Sequence, residues 1–124
     1  MESLTITGTN STPQVSFNIN GRLSFEGRSL PENAEQFYKP LQQWLMNLSA
    51  ETVKFDINLE YFNSASSKKI LDMLKTLDAN SKVKNPQVNW HYEEDDDDTL
   101  EAGQIFEEFM NRIVFRFLVF EEAA

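Results

Sequence analysis

The chain contains no cysteine. That absence excludes a disulfide scaffold, thiolate metal sites and cysteine nucleophiles. Histidine is scarce too: His91 is the only one in 124 residues, leaving little room for the commonest general base or for an imidazole metal site. Positive charge is in deficit, with 11 Lys and Arg against 20 Asp and Glu and a net charge of −9. Nucleic acid and anionic membrane both require clustered basic residues, so neither is expected as a partner. No apolar run approaches the roughly 18 residues of a membrane span. The N-terminal MESLTITGTN lacks the basic start and apolar centre of a signal peptide. A cytoplasmic protein is expected. What the chain does have is apolar content, 40% with ten Phe, enough for one domain over residues 1–124 with a real core.

The most informative stretch runs from Thr52 to Lys69, TVKFDINLEYFNSASSKK. Val53, Phe55, Ile57 and Leu59 alternate with polar residues, the period-two signature of a strand with one buried face. After Tyr61 and Phe62 the pattern changes to small polar residues, and Ile70, Met73, Leu74 and Leu77 follow at helical spacing. Asn63 or Ser64 is therefore the expected N-cap. A hydroxyl at a helix start sits where backbone donors and the positive helix end favour an anion.

Around this centre the chain alternates. Leu4–Gly8 and Gln14–Asn18 read as short strands on either side of the turn-prone GTNSTP. Asn20-Gly21 signals a two-residue type I′ hairpin, joining Val15, Phe17 and Ile19 to Leu23 and Phe25. Gly27–Asn33 reads as a loop, and the next helix places Phe37, Leu41, Trp44, Leu45 and Leu48 on one face, with Pro40 expected to kink or split it. Asn80–Pro86 reads as a polar linker before a strand carrying Val88, Trp90 and Tyr92. That strand meets the acidic run Glu93–Asp98. A third helix opens at Thr99–Leu100 with Ile105, Phe106 and Phe109 inward, and Ile113–Phe120 forms a last strand before a fraying tail at 121–124. The expected order is β-β-β-α-β-α-β-α-β, an α/β mixed sheet with an N-terminal antiparallel hairpin and helices packed on it. Right-handed strand–helix–strand connections bring Ser64 and the acidic run to the same sheet edge, the edge that open α/β sheets favour for function.

Several segments together resemble the SiaC family of bacterial regulatory phosphoproteins, small domains similar to the STAS fold. They are GTNSTP, GRLSFEGRSLPEN, FYKPLQQWL, LEYFNSASSKKIL, VNWHYEEDDDD and EAG, in order along nearly the whole chain. The resemblance implies a non-enzymatic, partner-switching domain. A protein kinase phosphorylates such a domain and a PP2C-type phosphatase reverses the modification. The unphosphorylated form binds and activates a diguanylate cyclase, which places it in cyclic-di-GMP and biofilm signalling. The family's phosphoacceptor is usually the Thr of an Asn-Thr-Ser-Ser segment. That position is Ser64 here, and the next residue is Ala65. Ser66 and Ser67 stand as alternate acceptors. Partner-binding residues are expected among Tyr61, Asn63, Ser64, Ala65, Ser66, Lys68, Glu94, Asp95 and Asp96.

Each feature also has a plainer reading. Ser64 can be an N-cap hydroxyl alone, leaving an interaction domain that is never phosphorylated. The acidic run can be a solvated loop, the acid-rich first turn of the third helix, a patch steering basic partners, or a divalent-cation site; its spacing does not follow the EF-hand pattern. An acidic metal-dependent enzyme built on Asp95–Asp98 would still lack a nucleophile–base pair and a His ligand set. No metal ligand, cofactor or catalytic residue is assigned. Lys68 and Lys69 face either the phosphate, the acidic loop or solvent. Trp44 and Trp90 read as core, and His91 lies on the polar phase of its strand with no triad spacing. Phe37, Tyr38 and Trp44 raise the prospect of an exposed aromatic patch.

Overall fold

In the computed structural model, residues 1–120 are described. Strands and helices follow in the expected order: β1 (Leu4–Ile6), β2 (Gln14–Phe17), β3 (Arg22–Ser29), α1 (Ala34–Asn47), β4 (Ala50–Phe62), α2 (Ser64–Ala79), β5 (Val83–Glu93), α3 (Asp97–Glu108) and β6 (Val114–Phe120). The strands form one sheet in sequence order, β1-β2-β3-β4-β5-β6. The first two pairings are antiparallel and the last three parallel. Each parallel strand is added on the same side of its predecessor, so crossovers of one hand carry all three helices over one face. The burial of β4 agrees: Val53, Phe55, Ile57 and Leu59 are buried, whereas Lys54, Asp56, Asn58 and Glu60 face the open side. Among the described residues no helix is long and apolar enough to cross a membrane.

The core lies between that face and the helices. The Phe17 ring meets Trp44 at 5.2 Å and stands edge-on to Phe55 at 5.4 Å. Phe17, Phe25, Phe55, Leu41, Leu45, Ile70 and Leu74 are essentially fully buried, each such side chain contributing about 1.5–3 kcal/mol through removal from water.

Several local expectations are corrected. The β2–β3 hairpin is not a type I′ turn, because among the described residues none other than glycine has positive φ and only Gly21, at 98°, adopts it there. The Asn18 carbonyl accepts from Gly21 N–H at 2.9 Å and Asn18 N–H donates to Arg22 O at 3.0 Å. This closes a three-residue loop with Gly21 at a bulge and puts Ile19 in the turn rather than in the strand. A Cβ at Gly21 would lie 2.2 Å from the Thr52 carbonyl oxygen, so the approach of β4 requires glycine there. Pro40 does not split α1, which is one helix. Pro40 and Gln36 are both exposed, so the carbonyl that a residue-40 N–H would engage lies on the watered side. On α1 the buried aromatic beside Trp44 is Tyr38, and Phe37 is only half-buried.

Gly27–Ser29 belongs to β3 rather than to a loop, with a register shift at Gly27/Arg28. β5 begins at Val83, so most of the expected linker is strand. Pro86 pairs with Val53, one residue before β6 joins at Gln87; β5 is still an edge on that side, where a sheet tolerates proline. α3 turns a different face inward. Thr99, Gly103 and Phe106 are buried, while Ile105 and Phe109 are about half exposed, at 50% and 51%. Trp90 decides this. Its Nε1–H donates to the Thr99 carbonyl at 2.9 Å, and a Cβ on Gly103 would lie 2.6 Å from that nitrogen. The tail at 121–124 lies outside the described residues.

Candidate functional site

β4 delivers the site and ends at Phe62. Asn63 is the N-cap of α2: its side-chain oxygen accepts from Ser66 N–H at 2.9 Å and its carbonyl from Ser67 N–H at 2.9 Å. Its own N–H donates to the Ser29 carbonyl at 3.0 Å, tying the turn to the end of β3. Ser64 is thus the first helical residue rather than the cap. It is exposed, as is Ala65, and the cap leaves the Ser64 and Ala65 N–H groups facing outward at the positive helix end.

The alternate acceptors fare differently. Ser66 is fully buried, and Ser29 Oγ donates to its hydroxyl at 2.8 Å. Burial therefore removes Ser66 both as a phosphoacceptor and as a surface contact. Ser67 is half-buried. Tyr38, also buried, lies 2.6 Å from Ser29 Oγ through its own hydroxyl. Burial pushes the Tyr38 phenol up to about 12, although its hydrogen bonds to Ser29 and Ser66 pull the other way. Sequence reasoning missed Ser29 and Tyr38. The spacing of Tyr38, Leu41 and Leu45 at i, i+3, i+7 was the available signal for Tyr38.

Of the neighbouring aromatics, Phe62 stands edge-on to Trp90 at 6.3 Å and is half-buried. Tyr61 is 49% exposed, with the Arg28 guanidinium 6.0 Å from its ring centre. Lys68 is exposed. Lys69 pairs with Glu35 on α1 rather than with the acidic run, and that hydrogen bond and charge hold the Glu35 carboxyl below its ordinary range.

The acidic run divides into parts. Glu93 closes β5, and Glu94 and Asp95 are exposed in the turn. Asp96 caps α3, accepting from Thr99 N–H at 3.0 Å and Thr99 Oγ1–H at 2.7 Å. Asp97 and Asp98 occupy the first turn of α3, where the helix dipole favours them. Asp96 and Asp98 join Glu60, Tyr61 and Phe62 around a cleft of about 280 Å³. The run and the strand end leading to Ser64 therefore share one rim of the sheet, as expected. Asp96 serves the helix cap, so Glu94, Asp95, Asp97 and Asp98 are the exposed members without a side-chain partner among the described residues. On the open face a larger hollow of about 850 Å³ is walled by Gln14, Glu26, Asn58, Glu60, Tyr92 and Glu93. Among the described residues no three His, Asp or Glu side chains converge to hold a metal ion.

A profile for the SiaC family regulatory phosphoprotein matches residues 6–120. The chain belongs to the SiaC family. It is 31% identical over 113 residues to an uncharacterised protein of Pseudomonas aeruginosa strain UCBPP-PA14, covering 87% of this chain and 90% of that relative. Apo-SiaC from Pseudomonas aeruginosa superposes with a TM-score of 0.80 at 28% identity, over 95% of this chain and 99% of that one. A chain in the crystal structure of the diguanylate cyclase SiaD in complex with its activator SiaC, from the same organism, gives a TM-score of 0.82 at 27% identity. That match covers 94% of this chain and 99% of the other. The mixed α/β architecture of this chain is thus that of SiaC proteins over nearly the full length.

Proposed function

We propose that this SiaC-family domain is a non-enzymatic partner switch of the cytoplasm. A protein kinase phosphorylates Ser64, a PP2C-type phosphatase removes the phosphate, and the unphosphorylated form binds and activates a diguanylate cyclase to regulate biofilm formation. The observation that carries the reading is the Ser64 hydroxyl, exposed in the first turn of α2 on the rim that also bears Tyr61 and the acidic run. The activator role of the related SiaC toward SiaD supports the choice of output partner.

The physics favours a switch at the surface rather than in the fold. A phosphoserine adds roughly −1.5 to −2 charge near neutral pH and three acceptor oxygens. At a helix N-terminus the dipole offsets part of that charge, by about 0.3–1 kcal/mol, so the domain stays folded. The same phosphate lies on a rim already carrying Glu60 and Asp98. In a packed interface it must be desolvated and meets any carboxylate of the partner, which costs a few kcal/mol, on the order of a hundredfold in affinity. Ser64→Ala is therefore expected to bind the cyclase as the unmodified domain does, and Ser64→Glu to bind it far more weakly. Calorimetric titration of the two variants into the cyclase tests this, and equal affinities would overturn it. Mass spectrometry after incubation with the kinase, then with the phosphatase, locates the modification. Its absence from Ser64 would leave an interaction domain whose serine only opens a helix.

A further inference from the structure

The geometry points to Tyr38 as a positioning residue for the Ser64 acceptor, acting from α1 through Ser29 and Ser66. This inference rests on the phosphoacceptor reading of Ser64.

Three side-chain hydroxyls from α1, β3 and α2 meet inside the core. Tyr38 is 1% exposed, and Ser29 and Ser66 are 0% exposed. The direction of the line follows from counting hydrogens. Ser29 Oγ–H donates to Ser66 Oγ at 2.8 Å, which commits the one hydroxyl hydrogen that Ser29 has. The 2.6 Å contact between Tyr38 and Ser29 is therefore donated by the phenol, and the high pKa of Tyr38, about 12, keeps that hydrogen in place. Ser29 also holds the other side of the acceptor, because its carbonyl takes Asn63 N–H at 3.0 Å. One residue of β3 thus grips positions 63 and 66, and Ser64 is presented between them.

A requirement for packing alone would be met by Phe and Ala at these places. Hydroxyls in an apolar core are tolerated only when they bond to one another, and such a line fixes relative positions as methyl groups do not. Without it the first turn of α2 is held by the cap of Asn63 and the backbone bond from Asn63 N–H to the Ser29 carbonyl.

Tyr38→Phe keeps the ring and removes the hydroxyl, and Ser66→Ala cuts the line at its other end. Amide exchange followed by NMR is expected to speed up about tenfold at the bonded amides of the turn, Asn63, Ser66 and Ser67, in either variant, the scale of one lost buried hydrogen bond, and to stay unchanged at Met73 and Leu74. The double variant is expected to be no faster than either single one, since both break one line. With the cognate kinase, kcat/KM for Ser64 is expected to fall about tenfold in both. Unchanged exchange at Asn63, Ser66 and Ser67, exchange raised evenly across the domain, or additive effects in the double variant would each overturn the inference. If the kinase leaves wild-type Ser64 unmodified, the switch reading fails, and the exchange pattern still decides whether Tyr38 orders that turn.

Discussion

The two ends of α2 treat carboxylates in opposite ways. At the C-terminal end Asp78 is 7% exposed and turned into the protein. Its two oxygens accept from Asn111 N–H at 3.0 Å, Arg112 N–H at 2.8 Å and Ile113 N–H at 2.9 Å. The Arg112 guanidinium folds back onto the carbonyls of Asp78 at 3.0 Å and Asn80 at 3.1 Å and onto that of Val83. Asn80 Nδ2–H donates to the carbonyls of Leu45 and Leu48, both at 2.8 Å. The α2–β5 turn, the entry to β6 and the end of α1 are thereby locked together. At the N-terminal end Ser64, Glu94, Asp95 and Asp98 face water, and no side-chain partner answers those three carboxylates among the described residues. One end uses a carboxylate to close the fold. The other leaves hydroxyl and carboxylates open for another molecule.

Breaking the closed end should have the largest effect. Asp78→Ala removes three hydrogen bonds at once and leaves the three backbone N–H groups that made them without their acceptor, and stability is expected to fall by about 3–5 kcal/mol in urea unfolding. The folded fraction should still bind the cyclase. The pH dependence follows from the carboxyl itself. Burial would raise its pKa, but the backbone donors of residues 111–113 and the Arg112 charge outweigh burial and hold it below its ordinary 3.8. A depressed folded-state pKa contributes stability that is present above the unfolded value and lost as pH falls through the folded one. The gap between wild type and Asp78→Ala should therefore be full at neutral pH and narrow below about pH 4. A gap that stays constant down to pH 2 would contradict this account.

The link between core and open rim runs through Gly103. A methyl group there meets the Trp90 indole within contact distance at three ring atoms, and a flat ring packed by Phe62 and Phe106 has no free direction to yield. Gly103→Ala is expected to cost about 1–3 kcal/mol as overpacking and to change the near-ultraviolet circular dichroism of Trp90. It also displaces α3, whose first turn carries Asp97 and Asp98, so cyclase binding should weaken beyond what the lost stability accounts for. Unchanged binding would show that the position of α3 is immaterial to the partner.

How much of this was legible in the sequence depended on whether the cause was local. The alternation of Val53, Phe55, Ile57 and Leu59 and the spacing of Ile70, Met73, Leu74 and Leu77 reported their elements correctly, because periodicity needs only one buried side. The shared rim followed from the handedness of the crossovers. What escaped had tertiary causes. The inward face of α3 was assigned to Ile105, Phe106 and Phe109 by hydrophobicity; Phe106 is buried as expected, but a single indole on β5 selects Gly103 beside it and leaves Ile105 and Phe109 half exposed. The turn at Asn20-Gly21 was chosen by β4, whose Thr52 carbonyl leaves room for glycine only. Ser66 looked as accessible as Ser64 because both are small and polar. Its partners, Ser29 and Tyr38, lie 37 residues and about 28 residues upstream, and no local pattern joins them.

The smallest stability effect is expected where the comparison is sharpest. Glu94→Gln with Asp95→Asn removes two charges from the open turn, where neither side chain holds the fold, so unfolding free energy should move by less than about 0.5 kcal/mol. Their removal should be felt by the partner instead. Exposed charges of one sign act over a Debye length of about 8 Å at physiological salt, chiefly by speeding encounter with a surface of opposite sign. Stopped-flow association with the cyclase should therefore slow in the double variant, and the dependence of its rate on ionic strength should flatten, with dissociation little changed. If the association rate and its salt dependence match the wild type, the acidic turn does not steer that partner. If unfolding instead shifts by several kcal/mol, the carboxylates at this end serve the fold as Asp78 does, and the contrast between the two ends of α2 disappears.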